Sequence, residues 1–389
     1  MENTEEKASL CALNKIFGFK PKLAQALISH LGGASPVFRL NSSEADSLLG
    51  PYSGFRGMIH PKAVDEAFGE LERLKNMDIG FVGWSENNYP ELLHECEDAP
   101  VGLYVRSLTP MEDLWKPMRR IAVVGTRDIS PYGREWCVRT VTGLASSSEK
   151  PAVISGLALG TDFCAHKTAL EYGLPTIAVM ATGPETVYPF RHREFAERLY
   201  STPGCALVTD YPPGTAPLPV HFLRRNRIIA GLSDSTILIE SKIKGGGMMT
   251  SRLAFSYSRD VYALPGRSDD PRSQGCNTLI KNKVAEIITS VDELLESLSL
   301  SRVRKSYGQA AEDLLNEAFG RNLPHGQIGR MLALIGIIRK ERGITLEELS
   351  SESGIEYIEV SKLARLLETY GFIDIDILQR CTVNIGKFR

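Results

Sequence analysis

The feature that most constrains this chain is a regular alternation beginning near residue 119. The segments "RRIAVVG", "PAVIS", "PTIAVM", "CALVTD", "STILIE" and "DVYALPG" are short, continuously apolar and β-branched, each ending near Gly, Ser or Asp. Between them lie helix-length segments at 131–147, 161–172, 191–200, 220–232 and 248–258. A strand without polar alternation is buried on both faces, an arrangement that crossover helices impose on parallel sheets. The pattern therefore predicts an α/β domain over residues 85–298: an extended Rossmann-like, doubly wound, mostly parallel sheet.

The flanks read differently. Residues 10–40 carry apolar positions at helical spacing broken by "GF" and "LGG", which predicts an N-terminal helical (SAM/HhH-like) module over 1–84. A helix at 62–76 and a short strand "DIGFVGW" follow, then a loop-rich lead-in, "YPELLHECEDAPVGLYVR". Residues 299–326 are polar and irregular, a linker with room for one helix. Residues 327–389 have the cadence of a C-terminal winged helix: a first helix, a capped second helix in "TLEELSSESG", a third in "EYIEVSKLARLLETYG" and a wing hairpin in "FIDIDILQRCTVNI".

The formal net charge of −2 conceals an uneven distribution. Residues 1–115 hold 10 Lys+Arg against 17 Asp+Glu, whereas residues 186–259 hold 10 against 5. A polyanion site is expected where the positive charge gathers. Residues 325–389 carry nine basic and nine acidic side chains, so the winged helix lacks the footprint of a duplex reader and suits protein contact. The acidic N-terminal helices read as structural. Seven cysteines, at 11, 96, 137, 164, 205, 276 and 381, form no CxxC pair and suit reduced thiols. No apolar run approaches the roughly 18 residues of a membrane span, and "MENTEEKASL" is no basic signal start. The chain reads as soluble and cytoplasmic, without membrane contact.

In a doubly wound sheet, ligands sit at the carboxyl ends of strands. The first strand ends in "VVGTRDISPYG", where Gly125, Thr126 and Arg127 lie beside a helix start that can cradle a phosphate. In "SGLALGTDFCAHKTAL", Asp162 is placed to cap the next helix. His166 there lacks companions at metal-ligand spacing and reads as a core histidine. The segment "VYPFRHREF" sets Tyr188 and Phe190 beside Arg191, His192 and Arg193, and aromatic faces next to cations are what a single strand needs. In "HFLRRNRIIAGL", Phe222, Ile228, Ile229 and Leu232 can line a buried helix face, while Arg224, Arg225, Asn226 and Arg227 crowd its first turns. Arg224 and Arg227, three apart, share a side. The alternative is that Arg225 or Arg227 pairs internally with Asp210, Asp234 or Glu240. Finally "KIKGGGMMTS" offers Lys242, Lys244 and the amides of Gly245, Gly246 and Gly247 at a helix start, with no Walker signature.

These blocks resemble the DprA/Smf family of DNA-processing proteins. "VVGTRDISPYG" is similar to that family's VGSR turn, and "ISGLALGTDFCAHKTALEYGLPTIAV", "VYPFRHREF", "FLRRNRIIAGLSDSTILIE" and "DVYALPG" follow its core blocks in order across roughly residues 85–300. The resemblance implies a cytoplasmic homodimer that binds and protects single-stranded DNA and hands it to the RecA recombinase in natural transformation. By motif match, Arg127 stands at the family's DNA-contacting arginine, and the basic position after "YP" falls at Arg191 to Arg193. Departures are Thr126 for serine, the glycines at 245–247 for SGS, Leu223 and Arg224 for Pro-Ala, and "IKNKVAEI" without a Gly-Ala pair. No essential cation is lost.

The leading expectation is a single-strand binder with neither catalysis, cofactor nor metal, whose cations gather at one rim of the sheet. Dispersal of those guanidinium groups, or their pairing with buried carboxylates, would contradict it. The rival from another class is a phosphoribohydrolase-like nucleotide-processing enzyme, although "LPGRSDD" lacks the PGGxGTxxE signature. A duplex-reading regulator acting through the winged helix is the third, disfavoured by that domain's neutral charge.

Overall fold

In the computed structural model, which describes residues 2–116, 119–301, 307–319, 326–341 and 343–384, the alternation folds into a nine-stranded sheet. Its strands are β1 (Ile79–Gly83), β2 (Gly102–Arg106), β3 (Arg120–Val124), β4 (Ala152–Ser155), β5 (Thr176–Val179), β6 (Ala206–Thr209), β7 (Ser235–Leu238), β8 (Asp260–Ala263) and β9 (Glu286–Ile287). The spatial order is β1-β2-β6-β5-β4-β3-β7-β8-β9. From β3 the chain steps outward through β4, β5 and β6, then returns to β7 on the other side of β3 and steps away through β8 and β9. Those seven strands are parallel, and β1 and β2 close one edge as an antiparallel pair.

Helices precede and punctuate the sheet: α1 (Glu2–Phe17), α2 (Pro21–Leu31), α3 (Ser42–Leu49), α4 (Pro61–Lys75), α5 (Glu91–His94), α6 (Met111–Leu114), α7 (Pro131–Ala145), α8 (Thr161–Glu171), α9 (Arg193–Tyr200), α10 (Pro219–Gly231), α11 (Gly246–Ser256), α12 (Gln274–Lys281) and α13 (Val291–Ser297). Successive side chains of a strand point to opposite faces. On β3, Ile121 and Val123 therefore pack with Cys137, Val141 and Leu144 of α7, while Ala122 and Val124 join Ile228 and Ile229 of α10 and Met248 of α11. Both faces are dry, which is why the run reads as continuously apolar.

Two boundaries differ from expectation. The sheet starts at Ile79, inside the stretch assigned to the N-terminal module, and includes "GLYVR" from the supposed lead-in as β2. Phe81 and Tyr104 of these strands pack into one core with Leu10, Leu13 and Phe17 of α1, Leu27 of α2 and Leu74 of α4. Buried Asn14 on α1 also donates to the Asp210 carbonyl (2.8 Å) and accepts from the Gly102 amide (3.2 Å). The helices thus cover the antiparallel edge, and residues 1–302 form one compact unit.

The second unit spans 303–389. Its core joins Leu315 and Phe319 of α14 (Tyr307–Phe319) to α15 (Gln327–Lys340), α16 (Leu346–Ser353) and α17 (Tyr357–Thr369). Its small antiparallel sheet, ordered β10-β12-β11, comprises β10 (Ile344–Thr345), β11 (Ile373–Ile375) and β12 (Arg380–Val383). The Thr345 and Glu348 side chains form the expected capping box of α16. Within the expected linker, α14 belongs to this core, while 302–306 and 320–325 lie outside the described residues.

Candidate nucleic-acid interface

The reversal of strand order between β3 and β7 leaves a crevice at their carboxyl ends, with Val124 paired to Leu238 at its base. Two loops rise from it, Gly125–Ser130 and Ile239–Gly245, and α10 lies alongside. The loops pack tightly where glycine permits. A Cβ on Gly247 would sit 2.6 Å from Leu238 Cδ1 and 3.2 Å from the Gly125 Cα, so the start of α11 can approach the β3 turn only without a side chain. Gly160, at φ +76°, lies under the other loop, where a Cβ would meet the Thr126 carbonyl oxygen at 2.3 Å. That carbonyl accepts from the Thr161 amide (3.1 Å) and hydroxyl (3.2 Å), and the Thr126 hydroxyl accepts from the Asp128 amide (3.2 Å).

Each of the two loops runs into a helix, and the two helix starts differ. At the start of α7, buried Glu240 accepts from the Ser130 amide (2.9 Å) and hydroxyl (2.5 Å), so a carboxylate of the protein already occupies the place expected for a phosphate. At the start of α11 the N-cap is Gly245, no side chain caps the helix, and Gly246 is exposed. That first turn, Gly245 to Gly247, lines an open cavity of about 630 Å³, and among the described residues no side chain takes its amides.

The cavity gathers Gly125, Thr126, Arg127, Tyr188, Phe222, Arg225, Asn226, Lys242, Lys244, Gly245, Gly246 and Gly247 from four separate loops and helices. Arg127, Lys242 and Lys244 are exposed and, among the described residues, lack an acidic partner. The Arg127 guanidinium lies 5.0 Å from the Phe222 ring centroid, and the Tyr188 ring meets Phe222 edge to face at 5.4 Å. Asn226 donates to the Gly246 carbonyl at 3.4 Å, tying α10 to the open helix start.

Arg225 forms the floor. It is 3% exposed and donates from Nη1 to the carbonyls of Gly156 (2.6 Å) and Val179. Burial pulls its pKa down to about 10, opposed chiefly by the charge of Asp162, so it remains a cation at neutral pH. Burial raises the Asp162 carboxyl above its ordinary range, against the pull of Arg225. Asp162 lies in the first turn of α8 rather than capping it, since the N-cap is Gly160. Asp162 and Asp128 also line the cavity, and their positions after strand ends were the available signal. His166 is a core histidine: Nδ1 contacts the Thr176 hydroxyl at 2.7 Å, and burial holds its pKa near 3.

The remaining expected residues lie outside this cavity, and the expected rim of eight cations does not form. Arg227 is buried, pairing through Nη2 with Asp210 Oδ2 at 2.5 Å and donating to the Asp98 carbonyl. Arg224 turns toward α1 and α2, donating to the Gly18 carbonyl with its Cζ 3.8 Å from the Phe19 ring centroid. At 100° per residue, consecutive arginines on one helix cannot face one ligand. His192 is buried, with Nδ1 2.9 Å from the Leu157 carbonyl and its ring stacked on Phe163. Arg193 pairs with Glu197 at 3.2 Å on the surface of α9. Phe190 and Arg191 are exposed but do not line the cavity.

Comparison with known proteins places this geometry among relatives. The family model of DNA recombination-mediator protein A matches residues 80–299. The Protein Smf of Synechocystis sp. is 31% identical over 303 residues, covering 77% of this chain and 74% of that protein. The crystal structure of DNA processing protein A from Streptococcus pneumoniae superposes with a TM-score of 0.56 at 29% identity, over 76% of this chain and 96% of the other. DNA processing protein A from Helicobacter pylori, a structure described for its single-stranded DNA binding mode, gives a TM-score of 0.50 at 26% identity, over 57% and 95% of the two chains.

Proposed function

This chain belongs to the DNA recombination-mediator protein A (DprA/Smf) family, and from that premise we propose that the switch-point cavity binds single-stranded DNA without base preference. The observation that carries the reading is the convergence of three exposed cations, a buried one and an uncapped helix start on one open cavity flanked by two aromatic rings. Phosphates need the charge and amides, and unpaired bases need π faces, each worth about 1–3 kcal/mol of stacking. Tyr188, 45% exposed, is the more available ring, because Phe222 is half-buried between it and Arg127.

The site is read as one that binds and shields the strand without a catalytic step, in a cytoplasmic homodimer that passes the strand to a RecA-class recombinase in transformation. The family's role as a recombination mediator supports that step. The balanced charge of the second unit supports a protein-binding rather than a duplex-reading role for its winged-helix order of elements.

The test is a titration of oligo-dT at several salt concentrations beside a duplex of equal length. With four cations engaged, log affinity should fall with log salt at a slope of about −3. Arg127→Ala should weaken every sequence alike by about tenfold and flatten the slope by about 0.7. A salt-independent affinity, tighter duplex binding, or release of free base from nucleoside monophosphates would each overturn the reading.

A further inference from the structure

The switch-point cavity does not end at the loops that form it. Past Lys244, Gly245 and Gly246 it adjoins a second cavity of about 440 Å³. That cavity shares Leu223, Met249 and Leu253 with a third of about 490 Å³, and Leu223 lines all three. A single groove thus runs along α10 and α11 and finishes against Phe19–Leu23 at the start of α2.

The groove has an apolar floor and a cationic rim. Leu223 (47% exposed), Ile243 (47%) and Met249 (38%) are more exposed than a folded core needs. Lys244 and Arg252 border the middle section, and Lys20 and Lys22 the far end, in a stretch of chain that is otherwise acidic. Of the acids there, Asp98 accepts from the Tyr257 hydroxyl at 2.6 Å and Glu97 pairs with Lys22. At the end stands Phe19, 62% exposed, with the Arg224 guanidinium over one face of its ring, which leaves the other face for a base.

An apolar floor between basic rims is complementary to an unpaired polynucleotide, whose bases seek π and aliphatic surface while its phosphates seek cations. The excess of Lys and Arg on the rim favours that occupant over an apolar protein segment. Resting on the single-strand reading of the inner cavity, we infer that the strand leaving the switch point continues along the α10–α11 groove to an outer subsite where Phe19 stacks a base. The N-terminal helices then lengthen the DNA site as well as covering the sheet edge. Arg224, one of the arginines outside the inner cavity, serves this outer subsite by holding the Phe19 ring in place.

The experiment compares oligo-dT of about 5 and about 15 nucleotides, lengths that span one and several binding positions, on the full-length protein. Phe19→Ala, at an exposed position, should weaken the longer oligonucleotide about tenfold and the shorter less than twofold. Met249→Glu, which places a carboxylate in the middle section, should show the same length dependence. Equal losses at both lengths would assign Phe19 to the inner cavity and overturn the outer subsite. Unchanged binding of the longer strand would overturn it too and leave the groove to a protein partner. In either case Arg127→Ala must still weaken both lengths; if it weakens neither, the single-strand reading itself has failed.

Discussion

Arg127 and Arg227 carry the same guanidinium group and meet opposite fates. Arg127 stands on a loop at the β3–β7 crevice, exposed and without an acidic partner among the described residues. Arg227 lies about two turns along α10, 6% exposed and bonded to Asp210 and the Asp98 carbonyl. Both were expected to neutralise phosphate, because local charge density treats them alike. What separates them is desolvation: a buried cation must be satisfied within the protein, and the Asp210 carboxylate that satisfies Arg227 also cancels the charge a phosphate would need. Positive charge marks the neighbourhood of this site, and position at a strand end selects the residues that can act in it.

The largest expected effect tests that separation through stability. Arg227→Ala leaves Asp210 buried and uncompensated, and should cost about 3–5 kcal/mol in denaturant unfolding. The double change Arg227→Met with Asp210→Leu should recover most of the loss, because an apolar pair removes both desolvation penalties. Arg127→Ala should leave the unfolding midpoint almost unchanged while weakening DNA. Were Arg227→Ala instead stable but deficient in DNA binding, the distinction between the two arginines would be lost.

Arg225 belongs to both classes and sharpens the comparison. It is buried like Arg227, yet it lines the cavity like Arg127 and, among the described residues, is paired with no carboxylate. Arg225→Lys keeps the charge and gives up the planar guanidinium whose Nη1 reaches two carbonyls. Stability should fall by about 1–3 kcal/mol, from the carbonyl left without a donor. Affinity for oligo-dT should fall several-fold, less than for Arg127→Ala. Equal affinity with reduced stability would make Arg225 a purely structural residue.

The parallel strands were legible because their burial on both faces writes itself as unbroken apolar sequence. β2 was not, since "GLYVR" follows a Pro- and acid-rich stretch and its cover comes from helices at the far end of the chain. β9 has two exposed residues and no periodicity to read. At the site, the glycine turns and their lysines were legible as strand-end loops. The consumption of expected ligand groups was not, because it depends on long-range partners: Gly18 for Arg224, Asp98 for Arg227, and Glu240 for the amide of Ser130. A local pattern records which groups are present, and only the fold records which remain unbonded.

The smallest expected effect asks whether exposure alone is enough. Arg193 is exposed like Arg127 but stands on α9, outside the cavity, in an (i, i+4) pair with Glu197 whose ends are both solvated. Screening makes such a pair nearly neutral in energy. Arg193→Ala should therefore leave the unfolding midpoint unchanged within error and oligo-dT affinity within about twofold, the residue contributing only long-range potential. A loss approaching that of Arg127→Ala would mean that the strand also crosses the segment "YPFRHREF", where Phe190 is 75% exposed beside Arg191. Convergence on the switch point would then no longer distinguish the cations that bind DNA, since a partly solvated ion pair on a neighbouring helix would do as well.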